Sequence, residues 1–150
     1  MSQYIEFMTN RWELFLALAI ILIMLFGGGI LRRLKGYKEI DVSQAVLMLN
    51  HHDAVIVDVR DDNEVAQGHI IDAIHIPLGK LAERIGELEQ YKDREVIVNC
   101  RSGHRSASGC GRLRKEGFEK VYNLKGGIMA WQSANLPLKK PGKSKKRKEK

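Results

Sequence analysis

Hydrophobic positions along the chain fall into distinct regimes. From residue 14 to residue 31 they are nearly continuous: eighteen residues without a charge, mostly Leu, Ile, Ala, Phe and Met. No polar face interrupts this run, which argues against a helix packed on a core. As a helix it measures about 27 Å, close to the roughly 30 Å of hydrocarbon in a bilayer. Between residues 38 and 136, short apolar runs alternate with stretches of helical spacing. Residues 137–150 are strongly basic.

Within the middle region, residues 38–40 predict a brief strand. Asp41 or Ser43 is placed to cap a helix through Leu49, with Val42, Val46 and Leu49 on one side. Residues 54–59 (AVIVDV) and 95–99 (EVIVN) are unbroken apolar runs of the kind found in strands covered on both faces. Residues 63–67 predict a short helix closed by Gly68, and residues 70–76 a strand stopped by Pro77. Residues 81–88 have helical spacing through Leu81, Ile85 and Leu88. A helix is expected over 106–116, ended by Gly117, with Arg112, Arg114 and Lys115 suiting its C-terminal dipole. Residues 121–124 then form a strand and 127–134 a last helix. This alternation predicts an α/β fold: an open, mostly parallel sheet with helices on both faces.

Charge sharpens the division. The chain carries a formal +7, and residues 137–150 alone carry +7, eight Lys or Arg against Glu149, so the first 136 residues sum to zero. A run of this kind cannot bury itself and is expected to be disordered. It suits anionic lipid, or serves only as a solubilising end. It has no interleaved aromatic to stack on bases, which weighs against nucleic acid as a partner.

Charges flanking the apolar run set its orientation. Arg32, Arg33, Lys35 and Lys38 follow it, whereas Arg11 on the other side is offset by Glu6 and Glu13. Trp12 and Tyr37 stand near its ends, where amphipathic rings favour the headgroup level. The expectation is a single pass through the inner (cytoplasmic) membrane. Residues 1–13 are then outside, 14–31 in lipid, 32–37 a juxtamembrane linker, and all that follows in the cytoplasm. The rival is a signal peptide cleaved near Gly27, Gly28 and Gly29, which would leave a periplasmic protein. A leading region that is not basic, with the positive charge following instead, favours the anchor.

Two cysteines, Cys100 and Cys110, make no disulfide framework and suit a reducing compartment. The segment around Cys100, VIVNCRSGHRS, delivers it at the C-terminal end of a buried strand, and a Gly-containing turn leads into a helix. Ligands of open α/β sheets bind at that edge. Inward N–H groups and the helix start favour an anion on the sulfur, and can lower a thiol pKa from about 8.5 to about 3.5–7.5. Arg101, His104 and Arg105 add positive or polarisable groups, and Gly103 gives backbone freedom.

Three stretches together resemble the rhodanese-like sulfurtransferase family over residues 38–136. The segment from Cys100 to Ser106 is similar to the active-site loop Cys-x-x-Gly-x-Arg followed by Ser or Thr. DVRDDNEVAQGHIIDAIHIP resembles the Asp-Val-Arg, Glu, Gly-His-Ile, Ala, Ile-Pro pattern, and GFEKVYNLKGGIMAW the C-terminal signature. The order along the chain is similar to that of single-domain, membrane-anchored bacterial members. Asp72 departs from the usual Gly and His75 from the usual Asn, both outside the loop.

The resemblance implies ping-pong transfer of sulfane sulfur with no cofactor beyond a covalent persulfide on Cys100. A small anionic donor such as thiosulfate loads Cys100, and a thiol or protein acceptor unloads it. Arg101 and Arg105 would attract the donor, and loop N–H groups from Arg101 through Ser102, Gly103, His104 and Arg105 to Ser106 would stabilise the persulfide. Asp58, Arg60 and Glu64 would support the turns around the loop.

Other candidates have plainer readings. Cys110, sharing a small-residue face with Ala107 and Gly111, is expected to pack. His69 and His75 lack metal spacing, and the pair at 51–52 is expected in a polar loop, so no metal is predicted. Trp131 is expected as a core anchor. A Cys-x5-Arg phosphatase needs Arg where Ser106 stands, so the loop is one residue short for phosphate. A binding or scaffold module at the membrane is the non-catalytic alternative.

Overall fold

The structure, a computed structural model, describes residues 11–34, 36–51 and 53–140, with side chains between 26 and 34 outside that description. It divides into two units, one up to Gly36 and one from Tyr37 onward.

The first unit is helix α1 (Trp12–Leu34), 23 residues long, with Glu13 in its first turn. Every described side chain from Trp12 to Leu25 is exposed within the chain. Side chains of α1 are described only to Leu25, and among the described residues no helix is long and apolar enough to cross a membrane. The expected span at 14–31 runs past that limit, and residues 1–10 and 141–150 also lie outside the described residues.

The second unit is a five-stranded sheet, β1 (Lys38–Ile40), β2 (Val55–Asp58), β3 (Ile74–His75), β4 (Val96–Asn99) and β5 (Val121–Leu124). Its order is β1-β5-β4-β2-β3 and every pair is parallel. The central strand β4 is buried at all four positions, which is why its sequence is apolar without alternation. Each such Val or Ile contributes about 1.5–3 kcal/mol by leaving water.

Helices cover both faces. One face carries Val57, Val59, Val96, Val98 and Cys100 against Leu81, Leu88, Cys110, Leu113 and Phe118. Here α5 (His104–Lys115) lies on the sheet. Gly109 lets it approach: a Cβ there would stand 3.2 Å from Val98 Cγ1. The other face carries Ile40, Ile56, Ile97 and Leu124 against Ala45, Met48 and Trp131, from α2 (Val42–His51) and α6 (Gly127–Ser133). Trp131 is thus part of this core, and its Nε1 donates to the Pro137 carbonyl at 3.3 Å.

Several local expectations need correction. Of the two caps expected for α2, Asp41 is the one used: its Oδ1 accepts from Gln44 N–H at 2.8 Å while Gln44 Oε1 accepts from Asp41 N–H at 3.1 Å. That helix runs on through His51, so His51 is helical and not in a loop; position 52 lies outside the described residues. The expected strand over 70–76 contracts to β3, because Asp72 takes a left-handed conformation (φ 59°) that breaks the extended chain. The helix expected over 81–88 is α4 (Leu81–Arg84) continued by a 3-10 stretch (Ile85–Tyr91).

The packed small residue on α5 is Gly109 beside Cys110. At Gly111 a Cβ would meet nothing within 4 Å. Residues 137–139, expected to belong to the basic tail, pack with the domain. His69 and Lys139 exchange two backbone hydrogen bonds of 2.9 and 2.8 Å, which ties 137–139 to the domain.

Candidate functional site

Cys100 follows β4 at the C-terminal edge of the sheet and is almost wholly buried. The chain then turns through Gly103, whose φ of 95° is left-handed, and enters α5. A side chain at Gly103 would also crowd Leu124 O and Gly126 N, each 3.2 Å from its Cβ.

That turn aims donors at the sulfur. Gly103 N–H donates to Cys100 Sγ at 3.1 Å, and Ser106 Oγ lies 3.2 Å from it. Burial works to raise the Cys100 pKa. Hydrogen bonding by the Ser106 hydroxyl and by the Ser106, Ser102 and Gly103 amides outweighs it, leaving the thiol below its ordinary value. Cys110, buried in the same core with no comparable donors, is pushed up by burial instead. Both cysteines are free. One buried sulfur receives donors that favour its ionised form; its neighbour packs in the core.

The loop is gripped from behind by the Gly126–Gly127 turn. Ile128 N–H donates to the Cys100 carbonyl at 2.8 Å and Met129 N–H to the Arg101 carbonyl at 3.2 Å. Gly126 and Gly127 have φ of 75° and 56°, and a Cβ at Gly127 would collide with Cys100 O and lie 2.7 Å from the Arg101 carbonyl. With the Arg101 carbonyl tied to α6, the same peptide presents the Ser102 N–H to the sulfur.

The charged residues take different parts. Arg101, Ser102 and His104 are exposed, and the Arg101 guanidinium has no hydrogen-bonding or ionic partner among the described residues. Arg105 is committed: its guanidinium holds Glu64 at 2.7 and 2.8 Å and Asp61 at 3.2 Å. The hydrogen bond from Arg105 holds the Glu64 carboxyl below its usual range. Asp58 and Arg60 form a buried pair, Nη2 to Oδ2 at 2.7 Å. Arg60 also donates to the Gly68 carbonyl at 2.8 Å and the Glu64 carbonyl at 3.3 Å. This pair fixes the turns on either side of α3 (Asp62–Ala66). His75 Nε2 lies 2.8 Å from the Arg60 carbonyl.

Beside the loop is a cavity of about 320 Å³ lined by Arg60, Glu64, Arg101, Met129, Gln132 and Leu138, among others. A larger cavity of about 560 Å³ lies at the other end of the strands, around Val55, Ile74, Tyr91 and Arg94. None of the loop residues lines it, so its size does not make it the reacting site. No group of three or more His, Cys, Asp or Glu able to hold a metal occurs among the described residues.

Asn123 and Asp61 were not singled out by sequence reasoning. Asn123 is buried on β5, its Oδ1 2.6 Å from Ser106 Oγ and its Nδ2 donating to the Gly103 carbonyl at 3.1 Å. A polar residue inside an apolar strand, VYNL, was the available signal.

Comparison with known proteins agrees with this geometry. Residues 41–134 match the family described as rhodanese-like domain. A protein named sulfurtransferase from Allochromatium vinosum is 43% identical over 89 residues, covering 59% of this chain and 81% of that one. The uncharacterized protein YibN of Escherichia coli is 39% identical over 102 residues, 67% of this chain and 71% of that one. Among solved structures, a rhodanese-like domain protein from Staphylococcus aureus superposes with a TM-score of 0.63 at 28% identity, covering 70% of this chain and 99% of that one. The parallel sheet, the cysteine loop at its C-terminal edge and these matches place the chain in the rhodanese-like sulfurtransferase family.

Proposed function

We propose that this protein moves sulfane sulfur through a persulfide on Cys100, from a small anionic donor such as thiosulfate to a thiol or protein acceptor. One observation carries the reading: a buried sulfur at a strand end receives the Gly103 N–H and faces the Ser106 hydroxyl. The thiolate attacks the outer sulfur of the donor. A new sulfur–sulfur bond forms, the donor's own sulfur–sulfur bond breaks, and sulfite leaves with that electron pair. The acceptor then attacks the outer sulfur, and Cys100 departs as thiolate. Loop N–H groups offset negative charge at each stage.

Arg101 is the cation that supports donor capture, since Arg105 is already neutralised by carboxylates. The cavity beside it is the space offered to the body of donor or acceptor. No metal or cofactor enters this scheme.

The chain is further proposed to be held in the inner membrane by residues 14–31, with the domain in the cytoplasm. The exposed apolar surface of α1 and the positive charge that follows it support this. The basic end would then lie against anionic lipid.

The test is mass spectrometry of Cys100 in the purified full chain after exposure to thiosulfate. One added sulfur atom, lost on treatment with cyanide, is expected, and Cys100→Ser should give neither the adduct nor thiocyanate. Equal thiocyanate formation by both proteins would leave a membrane-bound binding module as the function. For the anchor, the full chain should resist alkaline carbonate extraction from membranes and yield to detergent, and a reporter fused after Lys150 should be active only in the cytoplasm.

A further inference from the structure

Ser106 has one hydroxyl proton and two buried acceptors within reach. Its Oγ lies 2.6 Å from Asn123 Oδ1 and 3.2 Å from Cys100 Sγ. A hydroxyl donates once. Ser106 and Asn123 are 0% and 2% exposed, so bulk water offers little substitute for either contact. The amide orientation follows from its other partner. Nδ2 faces the Gly103 carbonyl at 3.1 Å, and reversing the amide would set two oxygens against each other there. Asn123 therefore presents an acceptor, and only an acceptor, to Ser106.

We propose that Asn123 is a positioning residue that sets how much of the Ser106 hydroxyl the Cys100 sulfur receives. This deepens the sulfur-transfer reading and rests on it for its purpose. When Cys100 is a thiolate, the charged sulfur is the stronger acceptor and draws the proton. When Cys100 carries a persulfide, its own sulfur is bonded to the outer sulfur and accepts weakly. The proton then turns to Asn123 Oδ1, and no buried hydroxyl is left unpaired. The same side chain ties down the Gly103 carbonyl and so steadies the Gly103 N–H on the sulfur. Asn123 thus acts on the reacting atom through two neighbours without touching it.

The two roles separate in a double-mutant cycle read by the rate at which iodoacetamide alkylates Cys100. Peptide mapping distinguishes Cys100 from Cys110, and the assay uses the full chain with no sulfur donor. Asn123→Ala removes the competing acceptor and the Gly103 tie together. Made in the Ser106→Ala protein, it removes only the tie. The ratio of its effects in the two backgrounds isolates the shared proton. We expect alkylation below neutral pH to favour the Ser106 background by about fivefold, roughly 1 kcal/mol at 1.4 kcal/mol per factor of ten.

Asn123→Asp provides the second arm and guards against an alanine variant that fails to fold. Aspartate keeps the acceptor oxygen and grips the hydroxyl harder. Its direct charge effect on the sulfur is common to both backgrounds and cancels. The ratio should therefore have the opposite sign, with slower alkylation in the Ser106 background. Ser106→Thr, which restores a hydroxyl, should restore the ratio.

Ratios within twofold of one for the variants that fold would overturn the proposal and leave Asn123 a structural tie to Gly103. Because no donor is present, a failure of sulfur transfer appears separately, as the missing sulfur adduct on Cys100.

Discussion

Arg105 on α5 and Glu64 on α3, 41 residues apart, are joined through both guanidinium nitrogens, Nη1 to Oε2 at 2.7 Å and Nη2 to Oε1 at 2.8 Å. The pair ties the helix after the cysteine loop to the helix within the β2–β3 crossover. It also places a carboxylate on the wall of the cavity proposed to receive an anionic donor. Both side chains are partly exposed, so solvent screens the pair and its contribution to stability is modest, about 0.2–1 kcal/mol.

Glu64→Gln should accordingly leave the protein folded and lower the KM for thiosulfate about threefold, with a smaller change in kcat. Steady-state thiocyanate formation at low ionic strength measures both. A rise in KM would show that the tie matters more than the charge it cancels.

The lowered thiol of Cys100 fixes the direction of the pH dependence. The reactive form is the thiolate, so alkylation and sulfur loading persist at pH values where a free cysteine, with pKa of about 8.5, is mostly protonated. Activity falls as pH drops through the lowered value. Ser106→Ala removes a donor to the sulfur and should move that midpoint up. A rate profile of iodoacetamide labelling for both proteins reads the shift, and coincident profiles would remove Ser106 from the account.

Gly127→Ala should abolish transfer. The added Cβ meets the Cys100 and Arg101 carbonyls, and the left-handed φ is strained for alanine in any case. The expected sign is a Cys100 thiol that labels like free cysteine in a chain whose circular dichroism is little changed. The same substitution at Gly79, where a Cβ meets nothing within 4 Å, is the control.

Asp58→Ala leaves the Arg60 guanidinium buried beside an empty space. Breaking a buried pair by deleting one partner costs about 3–5 kcal/mol, so chemical denaturation should show a loss of that order. Replacing both, Asp58→Leu with Arg60→Met, should recover part of it. The Gly68 and Glu64 carbonyls would still lack their donor.

Much of this was legible in the order of residues, for reasons that are local. Continuous apolar runs mark β2 and β4 because both faces of the sheet are covered. Cys100 stands out because a strand, a glycine turn and a helix start follow one another within a few positions.

What was not legible depends on residues distant in sequence. Nothing near Arg105 announces that Glu64 and Asp61 hold its guanidinium, so it reads as a free cation. Asn123 reads as a blemish in a strand until folding sets it beside Ser106, 17 residues away. At Asp72 one left-handed residue outweighs the strand preference of Ile70, Ile71 and Ile74. Residues 137–139 were assigned to the tail on composition, yet Pro137 accepts from Trp131 and Lys139 pairs with His69.

The strand order also governs when this site comes into being. β1 lies at the edge of the sheet and pairs only with β5, and Lys38 meets Tyr122, 84 positions later (122 − 38). The first strand to leave the ribosome therefore waits for the last, and the sheet closes after translation of the domain is nearly complete. A polypeptide that ended at Arg105 would contain Cys100 but lack Ser106, Asn123 and the two glycines that shape its surroundings. The surroundings of the sulfur are thus completed only when residues from both sides of β4 have been made.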